Sequence, residues 1–297
     1  EAVAKVIDYG SRIIEDKNRL SARFLDISDM VIESAHWADR AGSDTVRLEH
    51  VVQALEHKEY RSRMIEDKVQ ALIEEGVIMI DTTGGVVGQA NALSVYDLGD
   101  RSFGRPSRVT ARVAVGRGKL IDIQRESEMG GRIHSKGVMI LTGYLDGKYA
   151  TDKPIAMVAT LAFEQLYEEI EGDSASSTEL YVLLSALSAL PINQEIAITG
   201  SVNQFGQIQP VGGINAKIEG FYEVCKARGL TGNQGVAIPS ANVRHLMLKP
   251  EVADAVRDGK FHVWALDTVD DGVELLMGAP AGERQEDGTY PEGTVHY

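Results

Sequence analysis

The sequence predicts an α+β fold in which a small all-helical domain, residues 1–76, precedes a larger domain of short strands and helices, residues 77–280. Two observations predict this order. Before residue 76, apolar residues recur every three to four positions, which is typical of helices that bury one face. After it, short apolar runs bounded by glycines begin, and beyond residue 190 they alternate with helical patterns, which indicates packed layers of strands and helices.

Composition and charge limit the classes of function. The chain has 297 residues, 43% hydrophobic and 25% charged, enough to bury a core without disulfide or metal support. The 30 Lys and Arg residues against 44 Asp and Glu residues give a net charge of −14, which argues against a general binder of nucleic acid or anionic membranes. The single cysteine, Cys225, excludes an internal disulfide framework and an all-cysteine metal cluster, and its helical surroundings predict a buried core residue.

Signals for a membrane or for export do not occur in this stretch of sequence. It contains no run of about eighteen or more apolar residues, so we expect no membrane-spanning segment. No basic-then-apolar signal segment opens it, and a single cysteine fits a reducing compartment, so the expected location is the cytoplasm. Because the first residue is Glu1 and not Met, we expect a piece of a longer protein.

The first domain contains three helical patterns. One covers 28–37 and its flanks, and a second restarts at Val46 after the break at 41–44. The third covers about 60–75 and is ended by Gly76. No strand pattern occurs in this part, which predicts an all-helical domain.

The second domain opens with strand patterns. Residues 109–115 alternate in the period of a strand, and the Gly-Arg-Gly tip at 116–118 predicts a hairpin turn. The further elements expected are helices over 134–149, 174–190, 214–228, 251–257 and 268–277, and strands over 155–163, 195–199, 235–238 and 261–265. The last stretch, 281–297, is polar and rich in Gly and Glu, which predicts a mobile tail.

Several familiar catalytic and cofactor motifs do not occur. The sequence has no G-x-x-x-x-G-K-[ST] loop, no complete dinucleotide fingerprint, no H-E-x-x-H and no S-x-x-K. It therefore predicts no cofactor site and no metal site within this chain.

The first candidate catalytic residue is Ser174. It lies in Glu-Gly-Asp-Ser-Ala-Ser at 171–176, directly before an apolar run with helical spacing. Ser176 and Glu179 form a capping-box pattern, which predicts that a helix begins here. A serine at a helix start lies beside unpaired N–H groups that can stabilise an oxyanion, whereas serines and aspartates there most often only cap the helix.

The second candidate is Lys217, in Pro-Val-Gly-Gly-Ile-Asn-Ala-Lys at 210–217. Two glycines lead into a short helix that carries one lysine among apolar and small residues. A desolvated lysine loses its proton more easily and can act as a general base, although most lysines are solvated and inert.

Together these two segments resemble the signature segments of the Lon proteases. The spacing from Ser174 to Lys217 is similar to that of the family's serine–lysine dyad. Ile-Thr-Gly-Ser at 198–201 resembles the segment whose threonine supports the lysine, and 236–242 resembles the strand and Pro-x-x-Asn that follow the dyad. The resemblance covers about 80–280.

One branch of the family is more similar than the other. The segment at 171–176 resembles the archaeal B-type Lon proteases and their bacterial relatives, whereas the common bacterial form carries Asp-Gly-Pro-Ser-Ala-Gly. The resemblance implies that residues 1–76 are the small α-domain of an AAA+ ATPase whose nucleotide-binding part lies upstream. ATP and magnesium are then expected only through that module, with Arg23 as a candidate nucleotide-sensing arginine. Membrane anchoring through an upstream segment, as in the archaeal branch, stays open.

The resemblance also implies a mechanism. Neutral Lys217 would activate Ser174 for acyl transfer, Thr199 would orient the lysine, and backbone N–H groups at Asp173 and Ser174 would hold the oxyanion. Asp173 and Glu171 are candidates for further contact with the site, without an assigned role. The implied substrates are unfolded or damaged proteins, and the implied assembly is a ring-shaped homohexamer.

Two alternatives stay open. A non-catalytic ring scaffold for an ATPase, of the kind that some Lon-like domains form, is disfavoured by the intact Ser174 and Lys217 and by the negative charge. A small-molecule amidase on the same dyad differs from a peptidase only in its substrate. His134 is expected to be a surface or capping residue rather than a member of a triad.

Overall fold

Four helices form the N-terminal part of the computed structural model, which describes residues 1–99 and 101–297. They are α1 (Ala2–Ile13), α2 (Phe24–Arg40), α3 (Leu48–Ser62) and α4 (Met64–Glu74). Met30, Val51 and Ala54 are fully buried because they lie on the apolar faces where α2 and α3 meet. The described residues before Gly85 contain no strand, as the helical periodicity predicts.

A seven-stranded mixed sheet forms the centre of the rest of the chain. The strands of the described residues are β1 (Gly85–Val86), β2 (Gln89–Asp97), β3 (Ser102–Val115), β4 (Lys119–Asp122), β5 (Met157–Ala162), β6 (Ile192–Asn193), β7 (Ile196–Ile198), β8 (Ser201–Val202), β9 (Ile208–Gln209), β10 (Gly235–Pro239) and β11 (His262–Leu266). The order in the large sheet is β11-β10-β7-β2-β3-β5-β4. The β2–β3 and β3–β5 pairs are antiparallel and the other neighbours are parallel. The small pairs β1–β6 and β8–β9 are antiparallel.

Helices cover this sheet and confirm the predicted α+β class. They are α5 (Ile123–Glu126), α6 (Arg132–Tyr149), α7 (Ser176–Ser188), α8 (Ile214–Arg228), α9 (Pro250–Arg257) and α10 (Val269–Met277), with a 3-10 turn at Ser240–His245. The predicted helices agree with these bounds to within about two residues. None of the helices described is both long and apolar enough to cross a membrane.

Two apolar cores lie on opposite faces of the sheet. Successive side chains of a strand point to opposite faces, and β7 divides accordingly: Ile196 and Ile198 join the core around α7, whereas Ala197 joins the core around α8. Ile73 of α4 also packs into the α8 core. The helices that carry the two candidate catalytic segments therefore lie on different sides of one short central strand.

α8 lies unusually close to β3. A Cβ atom on Gly104 would lie 2.0 Å from the carbonyl oxygen of Ala216, and a Cβ atom on Gly220 would lie 2.2 Å from that of Gly104. Both neighbours are backbone atoms, so only glycine permits this contact. The contact fixes the depth at which α8 sits on the sheet.

The hairpin predicted at 116–118 is wrong. β3 and β4 flank that turn, but β4 pairs in parallel with β5, which lies between β4 and β3 in the sheet. The turn is held instead by bonds to the start of β5, since the amides of Gly116 and Gly118 donate to the carbonyls of Ala156 and Met157. Local alternation identified the strands but not their partners.

The segment 281–297, expected to be a mobile tail, packs against the fold. Val295 and His296 are buried, and their backbone amides donate to the carbonyls of Pro280 and Ala281. The ring of His296 lies 2.9 Å from an Asp270 carboxylate oxygen at the start of α10. These few buried residues anchor a stretch whose average composition is polar.

Candidate active site

The turn before α7 holds Ser174 in a half-buried position. Its carbonyl oxygen accepts hydrogen bonds from the amide of Gly200 at 2.9 Å and from the hydroxyl of Thr199 at 3.2 Å. Within the described part of the chain, the amides of Asp173 and Ser174 donate to no acceptor. The turn is thus held against the end of β7, and N–H groups in such a position can in general stabilise an oxyanion.

α7 begins at Ser176, two residues after the predicted start, and the predicted capping box is wrong. Neither Ser176 nor Glu179 caps the helix. The Ser176 hydroxyl oxygen accepts a hydrogen bond from the amide of Val202 at 3.1 Å, which ties the helix start to β8. Glu179 is 1% exposed and points into the protein, where its carboxylate forms no hydrogen bond with the described residues.

Lys217 is buried in the first turn of α8. It is 3% exposed, and its Nζ donates to Thr199 Oγ1 at 3.1 Å. Burial lowers the pKa of Lys217 to about 8, although the carboxylates of Glu15 and Asp173 act in the opposite direction and raise it. A lysine with this pKa is partly neutral near physiological pH, which general-base catalysis requires.

Thr199 joins the two candidate residues. Its hydroxyl accepts from Lys217 and donates to the carbonyl oxygen of Ser174, so two hydrogen bonds connect the lysine to the serine peptide. β7 places Thr199 between α7 and α8 because it runs between the cores in which the two helices pack. The structure therefore brings together three of the residues that the sequence singled out.

The remaining predicted site residues lie in different surroundings. The Asp173 carboxylate accepts a hydrogen bond from the hydroxyl of Ser201 at 2.9 Å, within electrostatic reach of Lys217. Glu171 is exposed and accepts from the amide of Ile133 at 3.4 Å, which places it at the positive N-terminus of α6 and outside these contacts. Arg23 is exposed at the residue before α2.

His134 is a buried residue, so the surface or capping position expected for it is wrong. It is 1% exposed, and its Nε2 lies 3.2 Å from Asp122 Oδ2 and 3.7 Å from Glu179 Oε1. The donor atoms of these three side chains lie within 4.8 Å of one another, close enough in principle for a metal ion. His134 Nε2 also lies within hydrogen-bond distance of Asp122, and we describe the three side chains as a buried charge network.

This network predicts a pH-dependent stability. Burial raises the pKa of Glu179 from 4.5 to about 7, and the Asp122 hydrogen bond raises the pKa of His134 against the effect of its burial. Both groups therefore hold protons in the folded state that the unfolded state has released, so stability falls as pH rises from about 4.5 past 7. For Glu179 the loss is on the order of 3 kcal/mol.

The Glu179→Gln variant removes this titration. We expect its free energy of unfolding, measured by urea denaturation from pH 5 to pH 8, to fall less steeply than that of the parent. Glu169→Gln, at an exposed position, is the control and should keep the parent's slope. An equal slope in Glu179→Gln would mean that Glu179 ionises normally.

Two residues of the site were not assigned from the sequence. Ser201 lies in a segment that resembled the family, but nothing local indicates that it binds Asp173. Glu15 contacts the start of α8 from the other end of the chain, and no sequence pattern connects positions so far apart.

Comparison with known proteins identifies both parts of the chain. The family model described as "Archaeal LonB, AAA+ ATPase LID domain" matches residues 1–61. The model described as "Lon protease (S16) C-terminal proteolytic domain" matches residues 169–278. The second match contains Ser174, Thr199 and Lys217.

Curated relatives agree with these matches. A "Putative Lon protease homolog" of Escherichia coli K12 is 48% identical over 81% of this chain and 41% of its own length. One from Haemophilus influenzae is 36% identical over 95% of the chain and 47% of its length. An "Archaeal Lon protease" of Archaeoglobus fulgidus is 29% identical over 93% of the chain and 42% of its length. The chain thus spans less than half the length of these relatives.

The fold and the matches define a proteolytic domain preceded by the lid of an ATPase. The chain belongs to the Lon protease family, and its helical part is of the archaeal LonB type.

Proposed function

We propose that this chain is a serine endopeptidase in which Ser174 and Lys217 form the catalytic dyad. The observation that carries the proposal is the burial of Lys217, which lowers its pKa to about 8 and places its amine one threonine away from the Ser174 peptide. Strongly perturbed pKa values are concentrated at functional sites, so a buried lysine of lowered pKa at this position supports a catalytic role.

The reaction proceeds through an acyl-enzyme. Neutral Lys217 takes the proton from the Ser174 hydroxyl as its oxygen attacks the scissile carbonyl, and the resulting oxyanion accepts hydrogen bonds from the amides of Asp173 and Ser174. The lysinium then protonates the leaving amine as the C–N bond breaks. In the second half, Lys217 removes a proton from water, the hydroxide attacks the ester, and the proton returns to Ser174.

The supporting residues divide into two groups. Thr199 orients the amine of Lys217, and Asp173, held by Ser201, stabilises the lysinium that forms during catalysis. Glu171 acts indirectly, because its carboxylate stabilises the N-terminus of α6 beside the serine turn.

The substrates are unfolded or damaged proteins, delivered by ATP hydrolysis in a cytoplasmic homohexamer. The helical part supports this context because it matches an ATPase lid and α2 exposes Phe24, Leu25 and Ile32 by 79, 80 and 64%, a face suited to another domain. ATP and magnesium would bind in the ATPase module, with Arg23 beside the nucleotide.

The test is hydrolysis of a quenched fluorescent peptide and of an unfolded protein by the parent, Ser174→Ala and the control Ser188→Ala. Ser188 lies at the other end of α7. We expect the parent and the control to cleave both substrates and Ser174→Ala to lose about 10³-fold or more of the rate. A folded parent that cleaves neither substrate even when the ATPase module and ATP are supplied would contradict the proposal and favour a scaffold. Cleavage of small amides alone would contradict the protein substrate.

A further inference from the structure

α8 cannot cap its own N-terminus. Its N-cap residue, Gly213, has a φ of 67°, and a Cβ atom there would lie 2.4 Å from Val95 Cγ2 of β2. The residues that normally cap helices, Ser, Thr, Asp and Asn, are therefore excluded at this position. The helix that carries Lys217 needs a cap from elsewhere in the protein.

Glu15 supplies that cap from the segment after α1. Its Oε2 accepts the amide of Gly213 at 3.0 Å, and its Oε1 lies 3.4 Å from the side-chain nitrogen of Asn215. A carboxylate at a helix N-terminus also interacts favourably with the helix dipole. The contact joins two parts of the chain that match different family models.

The backbone at Glu15 is strained. Its φ is 52°, in the left-handed region. This conformation is unfavourable for residues that have a Cβ atom and is unstrained only for glycine. Backbone strain is often found at functional sites, so strain at Glu15 suggests that its contact with the N-terminus of α8 has a function.

A second anchor fixes the end of α1 against α8. Arg12 Nη2 donates to both carboxylate oxygens of Glu219 at 2.7 and 2.6 Å, and its Nη1 donates to the carbonyl of Met247 at 2.5 Å. Glu219 lies one turn beyond Asn215 on α8. The end of α1 therefore holds both the start and the second turn of the helix.

We propose that Glu15 is a positioning residue for Lys217, through which the helical part of the chain controls the dyad. Glu15 holds the amide of Gly213, and the Gly213 carbonyl accepts the backbone N–H of Lys217 at 3.0 Å. A displacement of α1 withdraws the cap, loosens the first turn of α8 and moves the amine away from Thr199. The proposal rests on the proposed function of Lys217 as the base.

The charge of Glu15 also acts on the pKa of Lys217, which gives a second measurable effect of Glu15 on the dyad. The charged groups that act on the Lys217 amine are Glu15 and Asp173, and both raise its pKa against the effect of burial. Several charged side chains on α8 and on the elements packed against it have partners of their own among the described residues: Glu219 with Arg12, Glu66 with Arg101, Arg105 with Tyr96 and Arg244 with His245. Removing the Glu15 carboxylate therefore lowers the pKa of Lys217 further.

Three variants test the proposal. Glu15→Gly removes the carboxylate at a φ that suits glycine, so its effects do not come from backbone strain. Glu15→Gln keeps an acceptor for Gly213 and removes the charge. Asp16→Asn is the control, because Asp16 accepts from the amide of Asn18 within its own loop.

Three readouts separate position from charge. Competitive acetylation at graded pH, read by mass spectrometry, gives the titration of Lys217. Hydrogen exchange of residues 213–217 reports the first turn of α8, and peptide hydrolysis gives kcat and KM. In Glu15→Gly we expect exchange about tenfold faster, since a hydrogen bond to a charged group is lost, and a kcat about tenfold lower with KM unchanged. In both Glu15 variants the Lys217 titration should move to lower pH, whereas Glu15→Gln should keep the slow exchange.

Glu15→Gly that matches Asp16→Asn in all three measurements would overturn the proposal. Faster exchange without a change in the Lys217 titration would also overturn it, because Glu15 would then only stabilise the helix. Acetylation and exchange do not require turnover, so a parent that cleaves no peptide contradicts the dyad and leaves the test of Glu15 intact.

Discussion

Replacing Lys217 with methionine is expected to reduce peptide cleavage by about 10³-fold or more, because the general base that activates Ser174 is lost. Methionine is unbranched and apolar, so it fills the buried space of the lysine stem without a charge. The variant should therefore keep or exceed the parent's resistance to urea. Peptide hydrolysis and urea denaturation of the same preparations measure the two effects.

The role of Lys217 as the base also predicts how the cleavage rate of the parent changes with pH. Burial depresses the pKa of Lys217 to about 8, and only the neutral amine can take a proton. At pH 6 about one lysine in a hundred is neutral, so kcat/KM should rise about tenfold for each pH unit and level off above pH 8. A flat profile from pH 6 to pH 10 would contradict the assignment of the lysine as the base.

Two further variants test whether the loss of activity comes from the loss of proton transfer by Lys217. Arginine keeps the charge but cannot lose its proton, so Lys217→Arg should be as inactive as Lys217→Met. Thr199→Val keeps the shape of the side chain and removes the hydroxyl that accepts from Lys217, so we expect an intermediate loss. Full activity in Lys217→Arg would show that charge at this position, rather than proton transfer, supports cleavage.

Much of the fold follows from local patterns in the sequence. The helix over Ile214–Arg228 was predicted at its observed bounds, and Cys225 within it is buried as expected. The resemblance to the Lon proteases also implied one site for Ser174, Thr199 and Lys217, and the structure connects all three by hydrogen bonds.

What the sequence could not predict depends on contacts between distant segments. The Ser176–Glu179 pattern suits a capping box, but Glu179 lies beside His134 because α6 packs on α7. β3 pairs with β2 and β5 and not with the adjacent β4. β4 pairs in parallel with β5, which requires a crossover connection, and α5 and α6 form that connection. Glu15 reaches Gly213 because α1 docks on α8, and neither segment carries a local sign of the other.

Replacing Gly220 with alanine is expected to destabilise the protein and to slow cleavage, although alanine is normally the better residue in a helix. The new Cβ would lie 2.2 Å from the carbonyl oxygen of Gly104, a backbone atom of β3 that cannot turn aside. α8 must therefore move outward by roughly an ångström. Overpacking of this kind costs about 1–3 kcal/mol, and a shift of that size at a catalytic group can reduce a rate by about 10²-fold.

Gly147→Ala is the matched control, because Gly147 lies in α6 and a Cβ atom there meets nothing within 4 Å. We expect it to stabilise the protein by up to about 1 kcal/mol with cleavage unchanged. Urea denaturation and peptide hydrolysis of the two variants decide the question. If Gly220→Ala were stabilising like the control, the depth of α8 on the sheet would not depend on Gly104 and Gly220. If Gly220→Ala lost stability but kept the parent's rate, cleavage would not depend on the position of the Lys217 amine. Proton transfer from Ser174 does depend on that position, so this outcome would contradict the dyad.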